Sequence, residues 1–318
     1  MIVFYFNKEQ THHTRMIQHL HNSFPGEKRL YPTAMFQRNA RINQVATIIV
    51  FAGMIRGEGM IYQWCKANDK RFLYIDHAYL NRGYDRTNPN SEWMRITDSD
   101  FSWNKMEYRP QDRWLQYFAD LYPRLNPWHR NRNKPNILLL PPSSATKYLF
   151  PDSENWTEQM TRLIKRNSNK EIIIREKPLQ PQINNLNQLI GLEKFIHEKT
   201  IEQELDDASL VVTYNSAVAV QATILGIPSI SHPTGVGHKM SVKWDEIDNP
   251  PEPPRQYWLN QLVYHQYRTQ EMIDGTIWKM LLTNAELAQS STIVRVEGPN
   301  RKNRKSYIAV DMNGKRLK

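Results

Sequence analysis

DASLVVTYNSAVAVQATILGIPSISHP, residues 207–233, decides the fold class. Residues 210–213 are apolar and β-branched, as a parallel strand buried on both faces should be. Tyr214, Asn215 and Ser216 then make a turn. Asn215 and Ser216 are both of the residue type that caps a helix. Residues 217–225 read as a short helix, stopped by Gly226 and Pro228, and 227–231 as the next strand. Such a unit directs backbone N–H groups and the positive end of a helix dipole at whatever lies beyond the strand end. One reading is an anion site suited to a nucleotide diphosphate. The other is an ordinary building unit of any α/β protein.

The rest of the chain repeats the alternation. In the first half, 1–7, 45–51 (TIIVF at its centre) and 72–75 read as strands, with helices at 12–23 and 58–67 between them. Strand, helix, strand in sequence argues parallel pairing with right-handed crossovers. Residues 112–121 form an amphipathic helix with Trp114, Tyr117, Phe118 and Leu121 on one side. Prolines, asparagines and the basic run HRNRNK make 125–135 the best linker. A second series follows: strands at 136–140 and 171–175, helices at 156–165 and 202–205, and then the 207–233 unit. Residues 232–255 look irregular, and 256–282 helical throughout. Residues 291–296 and 306–310 are expected to pair as a hairpin. The expected division is 1–124, a linker 125–135, a second domain 136–254, closing helices 255–282 packing across the domains, and a basic tail 283–318.

Composition narrows the classes. A 40% hydrophobic and 23% charged chain of 318 residues fits a soluble protein of two domains. No apolar run is long enough to span a bilayer. The N-terminus MIVFYFNKEQ reads as a first strand rather than an export signal, which points to the cytoplasm. The single cysteine, Cys65, leaves no internal disulfide and no cysteine metal site, and suits a small packing residue. The net charge of +10 favours polyanionic partners without choosing among them. It is concentrated at 129–134 and in the tail 301–318, which holds seven Lys/Arg against one Asp.

The wording D-A-S-x-V-V-T-x-N-S, a small-residue helix, then L-G-x-P-x-I resembles the donor half of GT-B glycosyltransferases, in particular the capsule-polysaccharide type. The form Y-W-L-N-Q-L followed by E-M-I-D-G-x-x-W within 256–282 resembles the closing helices of the same group. Where that group carries a Glu in the short helix, this chain has Gln221. The resemblance covers about 136–282, is weaker over 45–84 and is absent from the tail. It implies two Rossmann-like parallel-sheet domains facing a central cleft, acceptor in the first and nucleotide-sugar donor in the second. It implies no tightly bound cofactor, a nucleotide sugar (a UDP-sugar favoured) as co-substrate, no metal, and a monomer or weak oligomer.

Transfer from a nucleotide sugar needs the leaving diphosphate stabilised, the acceptor hydroxyl deprotonated and both held in line. The donor candidates lie at successive strand ends of the second sheet: Ser143 and Ser144; Arg175 and Lys177, an R-x-K-P arrangement; Tyr214, Asn215, Ser216 and Ala217; and His232. Ordinary turn residues and a solvent-boundary charge pair are the alternatives for the first two. Gly53, Arg56 and Gly57, in GMIRGEG, and Arg82 are the acceptor candidates; glycines at a strand end permit close backbone approach. Asp76, beside His77 at a parallel-strand end, is the expected catalytic base, with His77 or Glu58 in reserve. Alternatively Asp76 caps the next turn. Asp98-Ser99-Asp100 has D-x-D form but no strand is expected before it. His12 and His13 are neighbours on a helix and make poor joint ligands.

Nine tryptophans and fifteen tyrosines, some beside arginines (Trp93-Met94-Arg95, Tyr108-Arg109, Trp128-His129-Arg130), suit a groove for an exposed base. The section FAGMIRGEGMIYQW…YIDHAYLNRGY resembles phage proteins that glycosylate hydroxymethylated pyrimidines. On that reading the acceptor is a 5-hydroxymethyl pyrimidine in double-stranded DNA, in a phage-infected cell. Arg130, Arg132, Lys134, Arg301, Lys302, Arg304 and Lys305 would then hold phosphates. Two alternatives stand beside it: a saccharide or lipid-linked acceptor, with the basic tail on an anionic membrane, and a non-catalytic DNA-binding scaffold.

Overall fold

The computed structural model describes the chain except residues 55–56, 81–91, 104–105, 123–124, 129–132, 177–198, 285, 288–295, 298–306 and 309–318. In order, the elements are β1 (Ile2–Phe6), α1 (Thr11–Ser23), β2 (Lys28–Pro32), α2 (Ala40–Val45), β3 (Ile48–Ala52), α3 (Glu58–Ala67), β4 (Phe72–His77) and β5 (Trp93–Asp98). Then come α4 (Asp112–Tyr117), β6 (Asn136–Leu140), α5 (Ser144–Leu149), α6 (Trp156–Asn167), β7 (Glu171–Ile174), α7 (Ile201–Asp207), β8 (Ala208–Thr213), α8 (Val218–Leu225) and β9 (Ser229–Ser231). The chain closes with α9 (Gln256–Leu262), β10 (Gln266–Arg268), α10 (Thr269–Asp274), α11 (Thr276–Leu281), β11 (Val296–Glu297) and β12 (Tyr307–Ile308).

These elements form two α/β units, each built on a parallel sheet. One comprises Met1–Asp100 with Gln266–Lys318, the other Phe101–His265. The chain thus changes unit at Asp100, earlier than the proline-rich stretch 125–135 suggests, and returns at Gln266. Residues 256–282 are not one helical block: α9 belongs to the second unit, and α10 and α11 to the first. Between them β10 pairs antiparallel with β5.

The first sheet has the order β10-β5-β4-β3-β1-β2. β2, β1, β3 and β4 are parallel, whereas β5 runs antiparallel to β4. Contrary to the expectation of no strand before Asp98-Ser99-Asp100, WMRITD is a strand, buried up to its last residue. Ile2, Phe4, Val50, Leu73, Ile75, Met94 and Ile96 meet Met16, Ile17 and Leu20 of α1 and Trp278 of α11 on one face. Val3, Tyr5, Ile49, Phe51, Phe72 and Tyr74 are buried too. Burial of both faces is why these strands read as unbroken apolar runs. Cys65 lies in the core, and burial pushes its thiol up to about 12, as an inert packing residue requires.

The second sheet, β7-β6-β8-β9, is wholly parallel. Ile137, Leu139, Leu210 and Val212 pack on Trp156 and Ile164, while Leu138, Leu140 and Val211 pack on Leu205 and Ala222. Residues 232–255, expected to be irregular, contain two 3-10 helices, Val236–Met240 and Trp244–Glu246. The expected tail hairpin is present in its inner part, where Val296 pairs with Ile308 and Glu297 with Tyr307.

Gly226 ends α8 in the left-handed region at φ +76°, and a Cβ there would lie 2.0 Å from the Pro127 carbonyl oxygen. Gly226→Ala should therefore destabilise the protein by on the order of 2–4 kcal/mol, left-handed strain plus a backbone clash; urea unfolding measures it. His265 stacks on Trp103 at 5.1 Å, and burial, aided by Arg109, pushes its imidazole down to about 3. Between that value and the ordinary imidazole range the unfolded chain binds the proton and the folded one does not. Stability then falls as pH falls through that window. His265→Gln should lose less Tm than the parent between about pH 7 and about pH 4, measured by thermal scans across that range.

Candidate functional site

In an open parallel sheet, ligands bind beyond the strand C-termini where successive crossovers leave in opposite directions. In the second unit that point lies between β6 and β8, since β6 connects to β7 on one side and β8 to β9 on the other. The sequence-expected Ser143 follows β6, and Asn215 follows β8. They do meet. Ser143 caps α5 by accepting the Thr146 N–H at 3.3 Å, and its hydroxyl lies 3.0 Å from that of Thr146. Thr146 in turn donates to Asn215 Oδ1 at 3.2 Å. The buried Asn215 Nδ2 has no partner among the described residues. An amide with its oxygen occupied and its N–H groups unsatisfied is a donor set for an acceptor-rich ligand. Ser144 is exposed at the start of α5.

The expected fan of backbone N–H groups at α8 is narrower than the sequence suggests. The helix starts at Val218 with Ala217 in the cap position. The Ser216 N–H goes to Thr213 Oγ1, and the Val218 N–H to Ser216 Oγ. Those of Ala219 and Val220 go to the Ser216 and Ala217 carbonyls. Side-chain donation by Asn215 thus carries more of the site than the helix end. Gln221 is exposed on the outer side of α8.

Two expected donor contacts are placed elsewhere. Tyr214 is fully buried, and its hydroxyl donates to Asp152 at 3.0 Å. Its ring lies 4.0 Å from that of His232, stacked at 10°. Tyr214 therefore supports His232 from below. His232 Nε2 is 3.3 Å from Asp152, and burial lowers its pKa against the pull of that carboxylate. Arg175, just after the edge strand β7, donates to the Lys199 carbonyl at 2.7 Å and pairs with Glu204 of α7 at 3.5 Å. A guanidinium committed to Glu204 is unavailable to a diphosphate at β6 and β8. Lys177 lies outside the described residues.

In the first unit the crossovers diverge between β1 and β3. Gly53, just after β3, has φ +78°, and a Cβ there would come within 3.0 Å of Gln10 Oε1 and His13 Nδ1. Only a glycine lets those side chains lie over the strand end. Gly57, at φ +113°, caps α3. Glu58 is 1% exposed and accepts from the Thr33 hydroxyl at 3.3 Å. A carboxylate so enclosed is unsuited to its reserve role as base. Arg56 and Arg82 lie outside the described residues.

Asp76 is held on all sides. Its Oδ2 accepts from Tyr74 and from Arg95, each at 2.7 Å, and its Oδ1 from the His77 N–H at 2.8 Å. Burial pushes the carboxyl up, but the Arg95 and His77 charges and the Tyr74 hydrogen bond hold it well below the usual carboxylate range. Such a carboxylate stays charged and accepts a proton poorly, which argues against Asp76 as the general base. His77 is exposed beside it. The residue that sequence reasoning missed is His13. Its ring lies 5.6 Å from that of His77, and His12 stacks on His77 at 5.8 Å. His13, Asp76 and His77 each offer a ligand atom within 4.8 Å of the others. Burial pushes His13 down to about 4, so it is neutral at physiological pH. His12 is turned to Glu92 at 2.6 Å. Arg95, expected beside a base-binding aromatic, is 7% exposed and belongs to this cluster.

The other sequence signals are absorbed by structure. Asp98 ends β5 and pairs with Arg71 at 2.7 Å. Trp128 donates to the Pro253 carbonyl at 2.8 Å under the Arg255 guanidinium. Lys134 is 3.6 Å from Asp207. Arg130, Arg132, Arg301, Lys302, Arg304 and Lys305 lie outside the described residues. No helix among the described residues is long and apolar enough to cross a membrane.

No protein-family model matches the chain, and no curated protein does. Among solved structures it is similar to the β-Kdo 2,4-transferase of KpsC from Thermosulfurimonas dismutans, with a TM-score of 0.45 and 15% identity over 84% of this chain and 92% of that one. It is also similar to the β-Kdo 2,7-transferase of the same KpsC, with a TM-score of 0.44 and 12% identity over 86% and 99%. At 15% and 12% identity, the residues of the site and not the likeness decide the function.

Asp76→Asn should cost about 2–3 kcal/mol, because it strands the buried Arg95 charge. The double variant with Arg95→Met should recover part of that loss, and guanidinium unfolding of the set measures both.

Proposed function

We propose that the chain is a glycosyltransferase that takes a nucleotide sugar at the β6/β8 end of the second unit and a saccharide acceptor hydroxyl. The observation that carries this reading is the Ser143–Thr146–Asn215 relay, which fixes the Asn215 amide with its buried Nδ2 unsatisfied at the divergence of two crossovers. Diphosphate oxygens are the acceptors such a donor suits. The resemblance of 207–233 and 256–282 to capsule-type transferases supports the same assignment and its saccharide acceptor. Nothing among the described residues favours a DNA acceptor.

In the transfer, the bond from the anomeric carbon to the donor phosphate oxygen breaks, and the nucleoside diphosphate leaves with the electron pair. A bond forms from that carbon to the acceptor oxygen, whose proton passes to a base. Asn215 stabilises the departing charge. Ser143 and Thr146 hold its amide in place, and His232, braced by Tyr214 and Asp152, borders the same strand ends. In the first unit the end of β4 carries the acceptor-side groups, Asp76 as a fixed negative charge with His77 exposed next to it.

Incubation with a panel of nucleotide sugars, with oligosaccharide, lipid-linked saccharide and hydroxymethylated DNA acceptors, tests the reading by mass spectrometry. One sugar mass should appear on a saccharide acceptor with one nucleoside diphosphate released. Asn215→Ala should weaken donor binding by about 10-fold, the value of one hydrogen bond to a charged group. A mass gain on DNA would replace the acceptor, and a failure of every nucleotide sugar to bind or react would overturn the proposal.

A further inference from the structure

We propose that His13, Asp76 and His77 form a site for a divalent transition metal of the zinc class, with three protein ligands and at least one position open. The inference rests on placement in the first unit and not on the identity of the donor or acceptor.

Two imidazoles and a carboxylate are the ligand set of catalytic zinc sites that keep an open position. The three ligand atoms lie within 4.8 Å of one another. A metal with bonds of about 2.0–2.2 Å wants them roughly 3.3 Å apart. Metal binding therefore requires these side chains to draw together by rotamer adjustment.

The His13 ring is already oriented as a ligand. Its Nδ1 lies 2.5 Å from Gln10 Oε1, which can only accept, so Nδ1 carries the proton and Nε2 the lone pair. That Nε2 is buried and has no partner among the described residues. Buried polar atoms are seldom left unsatisfied, and each instance calls for a cause. Gly53 makes the arrangement possible, because any Cβ there would press on the Gln10–His13 pair.

Asp76 is prepared in the same way. Tyr74 and Arg95 both occupy Oδ2, while Oδ1 carries a single short contact, to the adjacent His77 N–H. Hydrogen bonds from outer groups to ligating carboxylates and imidazoles are the usual support of a metal site. Here Gln10, Tyr74 and Arg95 provide them. A water or acceptor hydroxyl in the open position would lose its proton to solvent near neutral pH.

The test is a titration of the chelator-stripped full chain with Co²⁺, read by its visible absorption bands, followed by displacement with Zn²⁺. One equivalent should bind, and Zn²⁺ should raise Tm. His77→Ala, at an exposed position that spares the fold, and His13→Ala should each weaken binding at least about 10-fold. Gln10→Ala should weaken it about 10-fold through loss of ring orientation. His19→Ala, on the same helix, should bind as the parent does. Absence of one-equivalent binding, or affinity unchanged in folded His77→Ala and His13→Ala, would overturn the site. These readouts need no nucleotide sugar, so they stand or fall apart from glycosyl transfer.

Discussion

Both units depend on one topological constraint. When a parallel strand sends its next crossover to one side and its neighbour sends the following one to the other, no helix covers the space beyond their ends. Backbone and side chains there must find partners locally or in a ligand. In the second unit the Ser143–Thr146–Asn215 chain meets most of that need and leaves one amide nitrogen open. In the first unit Gln10 and His13 lie over the bare backbone of Gly53, with Asp76 and His77 close by at the end of β4.

The first unit adds an electrostatic layer. β5 turns back antiparallel to β4 and brings Arg95 directly opposite Asp76 in the register. The guanidinium is 8% exposed in its side chain and the carboxylate 24%, so each offsets the desolvation of the other. Tyr74, two residues upstream on the same face of β4, adds its hydroxyl. The result is a fixed negative charge at a strand end, ringed by imidazoles, in place of a mobile carboxylate poised to take up protons.

What was legible in the sequence follows from the range of the forces involved. The 207–233 unit could be read because its signals are local: an apolar β-branched run, a polar turn, Gly226 and Pro228. The meeting of Ser143 with Asn215 could be anticipated from their places at strand ends. β5 escaped because its central Arg95 looks like solvent-facing charge until its partner, nineteen positions earlier, is known. β10 escaped because QYR lies inside a run with helical periodicity. His13 was set aside since its sequence neighbour His12 cannot share a ligand with it. Its actual partners come from β4, sixty-three and sixty-four positions later, and no local pattern records that. Arg175 satisfied the expected spacing, yet Glu204 on α7 offered a nearer charge.

The buried pairing of Asp76 with Arg95 also constrains how the sequence can drift. Replacing either residue alone passes through a chain with a stranded charge, so the two should be exchanged together or not at all. A descendant that had lost every activity would still pay in stability for losing Asp76 alone, so its retention would say little about chemistry. His77, exposed at the strand end, is not part of that buried pair. Across a lineage, the disappearance of His77 while Asp76 persists would mark the point where the scaffold outlived its work.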